Sequence, residues 1–203
     1  SFLDMRNAIL QADQAEGAPR RAQIWQVFAR RGMGFFAATA DSTDLSPLED
    51  FSLPPAPGGP RGTISGRVTD TETGQPVEGV SAAVGGLVDG PDKVADTTGA
   101  DGRFQIANAP AASYPSFVFK KPGYDTLVGP IRVPGGGSTT LTATLRRNWA
   151  ALASGSTFTG DDTYASLGCG VRAALDQNPG SGWSTDRDAT PSNMTVTLAE
   201  PVD

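Results

Sequence analysis

The sequence predicts a mainly β protein led by a pair of α-helices. Apolar residues alternate with polar ones through much of residues 63–146, whereas in residues 2–14 they recur at spacings of three and four. A Pro/Gly cluster at residues 54–60 separates the two regimes.

In the first region Phe2, Met5, Ile9 and Ala12 fall on one helical face. A second helix is expected from about Arg20 to Arg31, with Pro19 near its start and Gly32 as its stop. Ile24, Trp25, Val27 and Phe28 give it a broad apolar face that the short first helix is too small to cover. An isolated helical hairpin is marginal in water, so the pair is expected to pack on a further body.

Residues 37–62 lose periodicity. Prolines at 54, 55, 57 and 60 predict an extended, fairly stiff linker and a domain boundary.

From Thr63 the period drops to two. Ile64, Gly66 and Val68 share one face, as do Val80, Ala82 and Val84, then Phe104 with Ile106, Phe117 with Phe119, and Ile131 with Val133. Leu141, Ala143 and Leu145 oppose Thr140, Thr142 and Thr144 in the last strand. Roughly seven short strands fit a small antiparallel β-sandwich. Thr73-Gly74 and Gly102 mark turns, and Lys120-Lys121-Pro122-Gly123-Tyr124 a hairpin end with an exposed lysine pair. After Asn148 the chain turns Gly-, Ser- and Thr-rich, with strand alternation returning at Met194, Val196 and Leu198. A second, truncated β-domain is expected there.

Composition narrows the chemistry. The chain has 203 residues, no histidine and a formal charge of −6. With no imidazole, an H-E-x-x-H zinc site and Ser-His or Cys-His nucleophilic arrangements are excluded within these residues. The acidic balance offers no basic stripe, so nucleic acid is not an expected partner. The 22 acidic residues sit mostly in turn contexts such as Asp89-Gly90 and Asp101-Gly102. Cys169 is the single cysteine and is read as a small buried hydrophobe. No apolar run approaches the roughly 18 residues of a membrane span.

Three stretches resemble known families. RNAILQAD, followed by Ile24, Trp25, Phe28, Ala29, Arg30, Arg31, Gly32, Met33 and Gly34, is similar to the C-terminal helices of the fungalysin-type (M36 family) secreted zinc metallopeptidases. That resemblance implies an upstream peptidase domain as partner, with zinc, its histidine ligands and the general-base glutamate all before Ser1. It implies an extracellular location and a protein or peptide substrate for the parent, and carries no catalytic residue into this chain.

ISGRVTDTETGQPVEGVSAAV, TTGADGRFQIANAP and VFKKPGYDT resemble the carboxypeptidase regulatory-like domains, which implies a transthyretin-like sandwich. Ala174-Leu175-Asp176-Gln177-Asn178, Gly182-Trp183-Ser184-Thr185 and MTVTLAEPV are similar to the start of a discoidin-like, galactose-binding-type β jelly-roll. Leu175 and Gln177 depart from that pattern. This third resemblance implies that Asp176 and Asn178 supply oxygens to a structural calcium; a turn capped by Asp176 is the other reading. Trp183 is either a sugar-stacking ligand residue or a core residue.

The organisation expected is peptidase-type helices over 1–40, a linker over 41–62, a regulatory-like sandwich over 63–147 and a partial discoidin-like domain over 148–203. Two functions follow. One is the non-catalytic C-terminal region of a secreted zinc metalloendopeptidase whose β-domains stabilise, position or bind glycans or a cell surface. The other is a structural or adhesive extracellular protein.

Overall fold

In the computed structural model, which describes residues 1–40, 43–178, 180–185 and 192–202, α1 spans Phe2–Ala15 and α2 spans Arg21–Ala29. The Ser1 hydroxyl accepts the Asp4 N–H, one of the amides that a helix start leaves unpaired. Asp13 closes the hairpin by accepting the Arg20 N–H at 3.1 Å. Gly32 ends α2: its N–H donates to the Ala29 carbonyl and the Met33 N–H reaches back to Phe28, each at 3.0 Å. This pairing satisfies carbonyls that would otherwise be orphaned.

The buried face of α1 is not the one defined by Phe2, Met5 and Ile9. Those three are exposed by 75%, 48% and 41%, while Leu3, Arg6, Asn7, Leu10 and Asp13 are buried. Leu3 and Leu10 lie two turns apart, and the side chains between them on that face are polar. A hydrophobicity pattern therefore points to a neighbouring side of the helix, about a quarter turn from the buried one. In α2, Trp25 and Phe28 are buried but Val27 remains 49% exposed.

The chain divides into two units, Ser1–Lys121 with Thr126–Leu145, and Pro122–Asp125 with Arg146–Asp203. The first holds seven strands: β1 (Arg61–Asp70), β2 (Ser81–Val84), β3 (Ala95–Thr97), β4 (Arg103–Pro110), β5 (Ala112–Lys120), β6 (Leu127–Val133) and β7 (Ser138–Leu145). They form two sheets, ordered β4-β1-β7 and β3-β2-β5-β6. Each expected apolar face is turned inward at its centre: Ile64 and Val68, Val80, Ala82 and Val84, Phe104 and Ile106, Phe117 and Phe119, Val133, Ala143 and Leu145 are all buried.

One pairing departs from a wholly antiparallel sandwich. β1 and β7 run parallel, from Thr63 opposite Ser138 to Asp70 opposite Leu145. Parallel neighbours need a long crossover, which the five intervening strands supply. The period of two is the same for both directions, so alternation cannot reveal this.

Phe104 binds the two sheets together, with its ring centroid 6.2 Å from Phe117 and 5.6 Å from Phe119. Gly66 makes room for it. A Cβ there would lie 2.3 Å from the Leu141 carbonyl oxygen and 2.8 Å from the Phe104 ring.

A bulge between Tyr114 and Phe117 shifts the register of β5 against β6. Tyr114 contacts the helical segment through Phe35 and Phe36, with centroids at 6.5 and 5.6 Å, and Phe35 continues to Trp25 at 5.9 Å. The Tyr114 hydroxyl donates to the Pro110 carbonyl at 2.7 Å. The residues that follow α2 are pinned as well: Ala38 exchanges both backbone hydrogen bonds with Leu48, and the Asp50 carbonyl accepts the Gly34 N–H at 2.7 Å.

In the second unit β8 (Thr157–Gly160) pairs antiparallel with β9 (Met194–Thr197). Val196 is half-buried, whereas Met194 and Leu198 are exposed. Ala151, Val171, Ala173 and Leu175 form a small core. Gln177 ties this unit together by accepting the Gly123 N–H at 2.8 Å and donating to the Tyr124 carbonyl at 3.0 Å.

Two outcomes are expected. Gly66→Ala lowers unfolding free energy by about 1–3 kcal/mol, through overpacking against backbone and a core ring, read by urea denaturation. Burial pushes the Tyr114 phenol well above its ordinary range. The folded state therefore keeps that proton longer than the unfolded chain. Its contribution to stability is complete below about pH 10 and lost as pH rises further. An alkaline titration followed by tyrosinate absorbance should show a late step coincident with unfolding, and Tyr114→Phe should remove that step.

Candidate functional site

Arg6 is 0% exposed and makes the densest polar contacts of the helical segment. Its Nη1 donates to the Met33 and Gly34 carbonyls at 3.1 and 2.8 Å. Its Nη2 donates to the Gly86 carbonyl and, at 2.9 Å, to Asn7 Oδ1. The guanidinium carbon sits 4.8 Å from the centroid of the Trp25 ring, a cation–π geometry. Burial holds the Arg6 pKa down to about 10, partly offset by Asp92, Asp89, Asp4 and Asp50. Arg6 is thus still a cation at neutral pH.

Asn7 extends the contact, donating to the Gly86 carbonyl at 3.0 Å and to Asp89 Oδ1 at 2.6 Å. Arg21 of α2 pairs with Asp92. The sequence pattern marked Asp89 only as a turn residue and gave Arg6, Asn7 and Asp92 no role in a polar contact. The available signal was the Leu3–Leu10 spacing, which brackets Arg6 and Asn7, together with the Gly85-Gly86 pair after β2.

The neighbouring face of α1 is partly exposed. Phe2, Met5 and Ile9 are exposed on one helix face, and a groove of about 950 Å³ runs beside Phe2, Met5, Arg31, Met33 and Leu48. Leu48, Phe51 and Leu53 are 47%, 62% and 51% exposed. Clustered large side chains of this kind mark interaction surfaces more often than scattered single ones do.

Asp176 and Asn178 lie in one turn of the second unit. Asp176 Oδ1 accepts the Asn178 N–H at 2.8 Å, the Ser181 hydroxyl lies 3.0 Å from both Asp176 oxygens, and Asn178 Oδ1 accepts the Gly180 N–H at 2.8 Å. These are the side-chain-to-backbone bonds of a capped turn. Calcium takes six to eight oxygens, of which this pair would supply one carboxylate and one amide oxygen.

Trp183 is half-buried, and its indole N–H donates to the Asp161 carbonyl at 2.7 Å. It is neither a fully covered core residue nor a free platform. Cys169 is also half-buried rather than buried.

Among the described residues no set of side chains fits zinc. The chain has no histidine, and among the described residues no three of His, Cys, Asp or Glu gather. Among the same residues no helix is long and apolar enough to cross a membrane.

With this geometry in view, comparisons with known proteins give two family matches. Residues 63–146 match the carboxypeptidase regulatory-like domain, and residues 1–37 match the fungalysin metallopeptidase (M36) family. No curated protein matches the chain. Among solved structures, the chain is similar to the TIE protein of Bacillus anthracis, at 21% identity and a TM-score of 0.35, covering 43% of this chain and 17% of that one. A type II Cohesin-X-Dockerin complex from Acetivibrio cellulolyticus matches at 19% identity and a TM-score of 0.35, covering 45% and 62%. BcpA, the major pilin subunit of Bacillus cereus, matches at 15% identity and a TM-score of 0.35, covering 51% and 33%. The chain thus spans less than two thirds of the length of each of these structures.

The turn yields a prediction. Asp176→Ala should cost about 1 kcal/mol through the lost cap, and millimolar calcium should leave the melting temperature of both wild type and variant unchanged. Calcium-dependent melting in the wild type, abolished in the variant, would instead support the cation site.

Proposed function

We propose that this chain is the non-catalytic C-terminal region of a secreted zinc metalloendopeptidase. Residues 1–40 complete an upstream catalytic domain, residues 41–62 lead away from it, and residues 63–147 form a regulatory-like sandwich of transthyretin type. Residues 148–203 contribute to a further β-domain of discoidin-like, jelly-roll type.

The observation that carries this reading is the partly exposed apolar face of α1, with Phe2 75% exposed, inside a segment matching a metallopeptidase family. Burying a Met or Ile side chain is worth roughly 1.5–3 kcal/mol, so such a face is a sink for a folded partner. The catalytic zinc and the residues that activate its water lie, in this reading, upstream of Ser1. The substrate is protein or peptide and the location extracellular. Trp183, with a half-buried indole, is the residue we assign to meet a glycan or a cell surface.

The test compares the parent chain with residues 1–203. Met5→Asp and Ile9→Asp should lower the melting temperature of residues 1–203 only slightly, because both side chains are already about half exposed there. In the parent, the same substitutions should lower it by several degrees and reduce chelator-sensitive proteolysis. An upstream region with no chelator-sensitive proteolysis would favour the structural, adhesive alternative.

A further inference from the structure

The loop between β2 and β3, Gly85 to Val94, is anchored in the sandwich by Leu87 and Val94, which are 0% and 2% exposed. Its outer side meets both helices. Gly86 accepts from Arg6 and Asn7, Asp89 accepts from Asn7, and Asp92 pairs with Arg21. The approach is close: at Gly86, with φ +87°, a Cβ would stand 2.3 Å from the Ala37 carbonyl oxygen and 2.9 Å from Leu3 Cδ1. Only glycine suits both that backbone and that space.

We propose that this loop is an intramolecular clamp. The sandwich serves to hold the helical segment in place rather than to swing at the end of a linker. Two physical points support the assignment. The Arg6 guanidinium is satisfied by carbonyls from two separate parts of the chain, Met33-Gly34 and Gly86, so full satisfaction requires that the loop be docked. A buried cation deprived of a partner is costly, which makes partial undocking unfavourable. The clamp also acts on the face of α1 defined by Leu3, Arg6, Asn7 and Leu10, about a quarter turn round the helix from Phe2, Met5 and Ile9, and so leaves those three partly open. Resting on the functional reading above, the clamp gives the sandwich a role: it carries resistance to heat into the peptidase body that residues 1–37 complete.

Hydrogen exchange on the 203-residue chain tests the clamp without reference to proteolysis. In the wild type, amides of the second half of α1 should exchange within about tenfold of those in β1, as expected for one cooperative unit. Arg6→Met and Gly86→Ala attack the joint from opposite sides. Each should accelerate α1 exchange about a hundredfold while changing β1 by less than about tenfold. The clamp is overturned if α1 already exchanges freely in the wild type, if neither variant alters it, or if both accelerate α1 and β1 equally. Should Arg6→Met fail to fold, Gly86→Ala decides alone.

In the parent, Arg6→Met should lower the midpoint of heat inactivation by several degrees with kcat/KM unchanged at low temperature. An unaltered midpoint in an active parent argues against the clamp. A parent without chelator-sensitive proteolysis sinks the peptidase reading and leaves the exchange result standing.

Discussion

A guanidinium removed from water sets the terms for the first unit. Arg6 is wholly buried, and among the described residues its bonds go to backbone carbonyls and Asn7, with the face of Trp25 against it. Such an environment is tolerable only when every donor is used, since an unpaired buried charge costs far more than a well-bonded one contributes. The requirement fixes three things together: the Met33-Gly34 turn after α2, the path of the chain at Gly86, and the rotation of α1 about its axis. Once α1 is rotated to bury Arg6 together with Leu3, Asn7 and Leu10, the side chains of Phe2, Met5 and Ile9 fall on the neighbouring face, about a quarter turn round the helix.

The aromatic chain Trp25–Phe35–Tyr114 adds an apolar counterpart to that polar contact, and Phe36 closes it edge-on against Tyr114. Dispersion and burial supply most of the attraction, while the Arg6 bonds select one arrangement among those that apolar packing would allow. The prolines at 54, 55 and 57 stiffen the stretch between. Stiffness and docking work together, because a chain with few conformations loses little entropy when its ends are fixed.

Much of this was legible in the sequence, for reasons specific to each element. The sandwich strands carry one apolar face each, so alternation at Ile64 and Val68, or Phe117 and Phe119, translated directly into burial. The helix ends were legible because Gly32 and Pro19 act through local backbone geometry. The direction of β7 was not, since side-chain period is blind to strand polarity. The buried face of α1 was hidden because its key residues are polar, and hydrophobicity ranks Arg6 and Asn7 as solvent-facing. In the second unit Asp176 and Asn178 share a turn as their spacing suggests, yet their oxygens are engaged by Ser181 and by backbone amides. Spacing can bring two ligating residue types together without saying which donors already hold them.

The central claim is that α1 has two working faces, one keyed into the sandwich and one for an upstream body. Peroxide oxidation of methionine followed by mass spectrometry addresses it directly, because Met5 is 48% exposed here and Met194 at 37% provides an internal reference. The account predicts that Met5 oxidises readily in residues 1–203 and is strongly protected in the parent, with Met194 serving to normalise the two samples. Equal reactivity of Met5 in both would contradict it.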